Sequence, residues 1–352
     1  MSLNKLPSTE FMNTQFLTGL RAYAALSVFF IHSEGLGLRN LEWKTPIVLR
    51  FLNNMINFGK YGVIVFFVLS AYTIALSLQR SSKFQFIPYI ARRLLRILPM
   101  YYLMILIAFA YGGIPDYFKA HQVTNSWYNL FAHLSFINLF QTKYRNNLLG
   151  VEWSVPIELF YYLLLPYFFV AFKKIRGFGI QLFLLSLCVV LILPVFIPTD
   201  QTYHWSVTKY LFSFSTGTIL HHIIKDHKSL LPQLSSVMLA QLFLLLLVYI
   251  STGAGHHEEF ITLWTGAIII AANSRSSLSK WLFENRVVIF LGNLSYSFYL
   301  IHFPILIYIR ATGMSAFASG ILTLLISVGL SYLSFTIIER PCINYGHRRW
   351  GR

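Results

Sequence analysis

The chain has 352 residues, 56% of them hydrophobic and only 11% charged, against about a quarter charged in soluble domains. A formal net charge of +16 would suit nucleic acid, but the basic residues are scattered between apolar runs, the pattern of orientation signals at an anionic membrane leaflet. Apolar runs of about 20 residues recur to the end, which gives an all-α, polytopic transmembrane helical bundle and excludes a soluble domain.

The first run, residues 16–34, carries Arg21 and His32. It lacks a short core followed by a small-residue cleavage site, so it reads as a true span and not a signal peptide. At about 100° per residue the two side chains share one helical face, about 16 Å apart along the axis. Ionisable groups inside such a run are costly and usually face a protein interior or a wet cavity. Each could snorkel to its own interface. Two on one face, one near each end, fit a cavity crossing the membrane better. Arg suits an anion or a carboxylate partner, and His suits proton transfer near neutral pH.

Residues 35–58, with Gly35, Gly37, Pro46, Asn53 and Asn54, read as a loop, and 60–79 as the second span. A basic segment with Arg80, Lys83, Arg92, Arg93 and Arg96 follows, and the third span runs from near Ile97 to Gly112 and Gly113. Residues 126–142 are aromatic and amphipathic, and 148–172 form a further span. If 126–142 crossed, Lys173, Lys174 and Arg176 would lie opposite the Arg92 cluster. The positive-inside rule therefore favours an interfacial or re-entrant 126–142. Further spans fall near 178–197, 207–224, 233–251, 258–273, 288–309 and 317–338. The expectation is ten spans with both termini cytoplasmic, a single domain over 1–352, no repeat, and a short tail after the last span. Most of the 28 basic residues then face the cytoplasm.

Arg92 and Arg96 lie one helical turn apart, and arginine forks bind phosphate bidentately. Ordinary positive-inside charge would also explain these arginines. Glu158 sits well inside its span, where it serves either as a structural ion pair, with Arg21 for instance, or in catalysis. Glu152 is closer to the outer end and more easily solvated. In the stretch 291–304, Ser295 and Tyr296 are expected to bond between helices and His302 to be structural. His221 and His222 read as interface residues. His256, His257, Glu258 and Glu259 share a short loop that promises no fixed metal geometry. Cys188 and Cys342 form neither a disulfide framework nor a metal site, and no phosphate loop or nucleophile elbow occurs.

Taken together, GLRAYAALSVFFIH, YGVIVFFVLSAYTI, ARRLLRILPMYY, WSVPIELFYYLLLP, LGNLSYSFYLIH and ERPCINYGHR resemble, in order and spacing, the signatures of membrane acyltransferase family 3. The resemblance runs from about residue 13 to 346. Thr18, Ala22 and Ala71 replace residues more usual in the family, which bears on packing and leaves the Arg21–His32 pair intact. Many members carry an extracytoplasmic hydrolase-like domain; with Arg352 as its end, this chain is expected to be the stand-alone form.

The resemblance implies a multi-pass protein of the bacterial inner membrane that moves an acyl group, most often acetyl from acetyl-CoA, to a hydroxyl of a cell-surface or lipid-linked glycan. Its partners would be acyl-CoA, the glycan acceptor and membrane lipid, with no tightly bound cofactor, no metal and no nucleic acid. Arg92, Arg93 and Arg96 would meet the nucleotide phosphates. His32 would act as general base, Arg21 would hold the donor or stabilise developing charge, and Glu158 would orient Arg21 or His32. Direct transfer is favoured over an acyl-histidine intermediate. The alternative is a proton-coupled transporter or flippase of a glycan or lipid precursor, which would favour inverted repeats with broken helices. A non-catalytic scaffold would not require buried Arg and His on one face.

Overall fold

The computed structural model describes residues 14–40, 46–80, 84–114, 125–174, 178–196, 207–226, 236–252, 258–273 and 276–350. Among these the regular structure is helical, and no strand occurs. In chain order the α-helices are α1 (Gln15–His32), α2 (Pro46–Phe58), α3 (Gly62–Arg80), α4 (Phe86–Ala110), α5 (Trp127–Leu134), α6 (Ser154–Lys174) and α7 (Phe178–Phe196). They continue with α8 (Leu211–Asp226), α9 (Ser236–Thr252), α10 (Glu258–Asn273), α11 (Ser277–Phe283), α12 (Arg286–Arg310), α13 (Ala316–Ser334) and α14 (Arg340–Trp350).

Each of the ten expected spans coincides with a helix. Among the described residues, five stretches are long and apolar enough to cross a membrane: 47–79, 86–110, 154–171, 286–310 and 316–350. Shorter apolar helices cover 179–189 and 237–250. This is the architecture of an integral membrane protein.

Several boundaries differ from expectation. The supposed loop at 35–58 contains α2. Helix α4 begins at Phe86, so Arg92, Arg93 and Arg96 lie inside it and not ahead of it. Residues 126–142, expected to be interfacial or re-entrant, form no membrane-length helix. They give the eight-residue α5 and then a short 3₁₀ turn, Ile137–Phe140. Eight residues reach about 12 Å, far short of a bilayer core of about 30 Å. The expected tail after the last span is helical over Arg340–Trp350. A π-helical turn, Phe335–Glu339, links α13 directly to α14, which packs back on α4. His256 and His257 lie outside the described residues.

Helix α1 is the centre of the bundle, packed against α3 and α12. Close approach is made possible by glycine. A Cβ at Gly62 would sit 2.3 Å from the Ala24 carbonyl oxygen, and one at Gly292 would sit 2.0 Å from that of Thr18. Small residues at such crossings let helix backbones touch where lipid supplies no hydrophobic drive. Contacts run from Thr18 with Gly292 at one end to His32 with His302 at the other, so α1 and α12 run parallel.

Candidate active site

The end of α1 is set by backbone geometry. Glu34, Gly35, Leu36 and Gly37 all have positive φ, between 53° and 80°. Glu34 and Leu36 are not glycines, and such conformations are strained and concentrate at functional sites. This turn places His32 in the last helical turn, where the chain leaves the bundle direction. The ion pair of Arg310 with Glu34, at 3.5 Å, ties the turn to the end of α12.

At the other end, Arg21, Arg92, Arg93 and Arg96 line one cavity of about 450 Å³, together with Asn293, Ser295, Tyr296, Glu339, Arg340 and His347. Helices α1, α3, α4, α12 and α14 and the π-helical turn build it. Helix α1 supplies Arg21, α4 supplies three arginines on adjoining faces, and α14 closes the wall. Arg92 donates to the carbonyl of Trp350, which holds α14 against α4. Arg93 lies over the Tyr162 ring, 5.5 Å from its centroid. Five arginines around one opening, Arg340 included, make a strong anion site.

A narrower cavity of about 50 Å³ continues inward, sharing Arg21, Arg96, Ser295 and Tyr296 with the first. It is lined further by Ser70, Ser154, Glu158, Tyr162 and Tyr299. Glu158 is not in an ion pair with Arg21, and it does not reach His32. Its Oε1 accepts hydrogen bonds from Ser70 and, at 2.5 Å, from Tyr162. Arg21 Nη2 approaches Thr73 Oγ1 at 3.5 Å. At the inner end the Tyr299 hydroxyl donates to the Val151 carbonyl at 2.6 Å and lies 2.9 Å from Ser154 Oγ.

His32 lines neither cavity. It stands one ring beyond: Tyr299 packs on His302 at 6.1 Å between centroids, and His302 Nε2 lies 2.8 Å from His32 Nδ1. The two imidazoles meet edge to edge and nearly coplanar, with centroids 5.1 Å apart and planes 16° apart, and Phe303 packs against His32 at 4.6 Å. The structure therefore brings Arg21, Arg92, Arg93, Arg96 and Glu158 to one connected cavity and sets His32 at its far side. The Arg21–His32 spacing of about 16 Å along an unbroken α1 leaves Arg21 too distant to stabilise charge beside His32.

Other expectations need correction. Glu152 is fully buried, not solvated. Its Oε1 accepts from Leu148 N–H at 2.8 Å and lies 3.4 Å from His133 Nε2, itself fully buried. His221 is buried against Tyr72, not at an interface. Reasoning from sequence also passed over Glu339. This carboxylate is buried, accepts from Ser297, and borders the arginine cavity from the π-helical turn. Its signal was present as an acidic residue at the end of a long apolar run. A π-turn inside an α-helix is itself frequent at functional sites. Among the described residues no group of His, Cys, Asp and Glu could hold a metal ion.

The family profile named acyltransferase domain matches residues 14–339, nearly the whole chain. The chain belongs to that acyltransferase family. YrhL of Bacillus subtilis is 27% identical over 96% of this chain and 56% of its own length. The O-acetyltransferase OatA of Staphylococcus aureus is 24% identical over 94% of this chain and 57% of its own. The peptidoglycan O-acetyltransferase OatA of Listeria monocytogenes is 24% identical over 92% and 55%. The chain thus spans little more than half the length of these curated relatives. No solved structure matches it. Within the acyltransferase family, the arginine cavity and the histidine pair are the features with chemistry to explain.

Proposed function

We propose that this chain is a membrane-embedded O-acetyltransferase that takes an acetyl group from acetyl-CoA and esterifies a hydroxyl of a cell-surface glycan, of which peptidoglycan is the foremost candidate. The observation that carries the reading is the arginine-lined cavity, continuous with a narrow passage that ends one aromatic ring from a histidine pair. The names of the OatA relatives support acetyl transfer to a glycan.

In this reading the Arg92 end faces the cytoplasm, as the positive-inside rule favours. The nucleotide phosphates meet Arg92, Arg93 and Arg96, while Arg21 steadies the donor where the cavity narrows. The pantetheine arm enters the passage past Glu158, and the thioester approaches His32 when the Tyr299 region yields. His32 Nε2 takes the proton of the acceptor hydroxyl as its oxygen attacks the thioester carbonyl. The carbon–sulfur bond then breaks, and the leaving thiolate takes the proton back from His32. Such proton transfer is worth about 10²–10⁴ in rate.

The test is transfer itself. The purified full chain in lipid nanodiscs is incubated with radiolabelled acetyl-CoA and soluble muropeptides. Base-labile label should appear on the glycan with the wild type and vanish with His32→Ala, although the variant still inserts and binds donor. Full activity in a well-expressed His32→Ala would remove His32 from the mechanism. Failure of the wild type to transfer label would overturn the reaction.

A further inference from the structure

His302 was expected to be structural, and nothing in the reaction just described uses it. Its surroundings define its protonation pattern. Its Nδ1 lies 3.0 Å from the carbonyl oxygen of Phe298, one turn earlier in α12. A carbonyl only accepts, so Nδ1 of His302 carries hydrogen. In a neutral imidazole the other nitrogen then bears the lone pair. That nitrogen, Nε2, is the one 2.8 Å from His32 Nδ1.

The neutral form follows from the shell. His302 is fully buried, with the rings of Phe29, Phe298, Tyr299 and Phe303 around it. Neither imidazole joins an ion pair among the described residues. A second buried proton would carry the cost of an uncompensated ion.

We propose that His302 is a positioning residue that locks His32 into the Nδ1–H tautomer, with the lone pair on Nε2. The chain of donation runs from His32 Nδ1–H to His302 Nε2, and from His302 Nδ1–H to the Phe298 carbonyl. Nε2 of His32 makes no hydrogen bond among the described residues and is left as the basic nitrogen. When it gains the acceptor's proton, the imidazolium keeps donating from Nδ1 to the His302 lone pair, so the charge forms against a fixed acceptor. The near-coplanar hydrogen bond and the Phe303 ring against His32 hold the plane in which Nε2 points. The arrangement does for a base what a carboxylate does in a catalytic triad, with a neutral imidazole in its place.

This rests on His32 being the base, so the experiment reads tautomer and turnover separately. The full chain, labelled with ¹⁵N-histidine in nanodiscs, is studied by solid-state NMR, with His32→Gln to assign the His32 signals. His302→Leu removes the acceptor. His302→Gln restores an oxygen at the Nε2 position. The wild type and His302→Gln should show His32 protonated on Nδ1, and His302→Leu should shift it toward the Nε2–H form. In the transfer assay His302→Leu should lose about 10²-fold in kcat with donor KM unchanged, and His302→Gln should recover most of that loss. An unchanged His32 tautomer in His302→Leu, or a wild-type His32 protonated on Nε2, would overturn the proposal. An inactive wild type with His32 protonated on Nδ1 and tautomer control by His302 would overturn the reaction and uphold the positioning.

Discussion

Tyr162 donates its hydroxyl to Glu158 Oε1 at 2.5 Å, and Ser70 donates to the same oxygen from α3. One carboxylate thus ties α3 to α6 at the point where the arginine cavity narrows. Removing it strands two hydroxyls, and a buried donor left without its partner costs about 1–3 kcal/mol. Glu158→Gln keeps an oxygen in place. Thermal unfolding of purified protein should order the variants as wild type and Glu158→Gln together, with Glu158→Ala several degrees lower. If alanine and glutamine melt alike, Glu158 has no part in joining the helices.

The three arginines of α4 are not equivalent. Arg92 spends part of its fork on the Trp350 carbonyl and Arg93 packs on Tyr162, whereas Arg96 borders both cavities. Arg96 is therefore placed to follow the donor furthest inward. Phosphate clamping is mostly uniform binding, and its loss raises KM with kcat preserved. Arg96→Gln should raise KM for acetyl-CoA by about 10-fold or more, the loss of one charge-assisted contact of about 1.5–3 kcal/mol. Arg92→Gln alone should raise it less. Joint neutralisation of Arg92 and Arg93 should also act on KM more than on turnover. Equal and negligible KM changes across the series would return these residues to a role in membrane orientation.

The sequence was informative wherever a local pattern carries the physics. Apolar runs located the spans, most of them within a few residues, and Arg21 and His32 stand out as ionisable groups in a span. What lay hidden depends on partners remote in the chain. His32 and His302 are 270 positions apart, and Glu152 looked solvated because His133 arrives from α5 to bury it. The start of α4 was misjudged for a different reason. Its arginines mark the boundary of the apolar run, yet a helix whose cationic face lines a cavity need not end there. The last helix reads as a tail because its polarity conceals that it packs on α4.

Glycine at the helix crossings offers a direct test of the packing. Gly292 and Gly329 are both helical, but a Cβ at Gly292 would collide with the Thr18 backbone while one at Gly329 meets nothing within 4 Å. Alanine favours a helix over glycine by about 1 kcal/mol, and overpacking a tight contact costs about 1–3 kcal/mol. Gly329→Ala should leave the unfolding temperature unchanged or slightly raised. Gly292→Ala should lower it and reduce transfer, because α1 and α12 carry the two histidines. Equal tolerance at both positions would contradict the close approach of these helices.

The proposed donor path needs the arginine end inside the cell, so the sides of the membrane can be tested without any assay of activity. Lys143 lies in the segment after α5, and Lys280 lies in α11, whose Phe283 meets Gly19 near the start of α1; both lysines are exposed. Because 126–142 is too short to cross, the two positions belong to opposite ends of the bundle. The positive-inside bias sets Lys280, with Arg286 close by, on the cytoplasmic side. Cysteines would be introduced singly at these positions in a background lacking Cys188 and Cys342, both of which are free thiols. A membrane-impermeant thiol reagent applied to intact cells should label position 143 and spare position 280, and both should react once the cells are opened. The reverse pattern would put the arginine cavity outside, away from cytoplasmic acyl-CoA, and the proposed course of the donor from Arg96 towards His32 would fall with it.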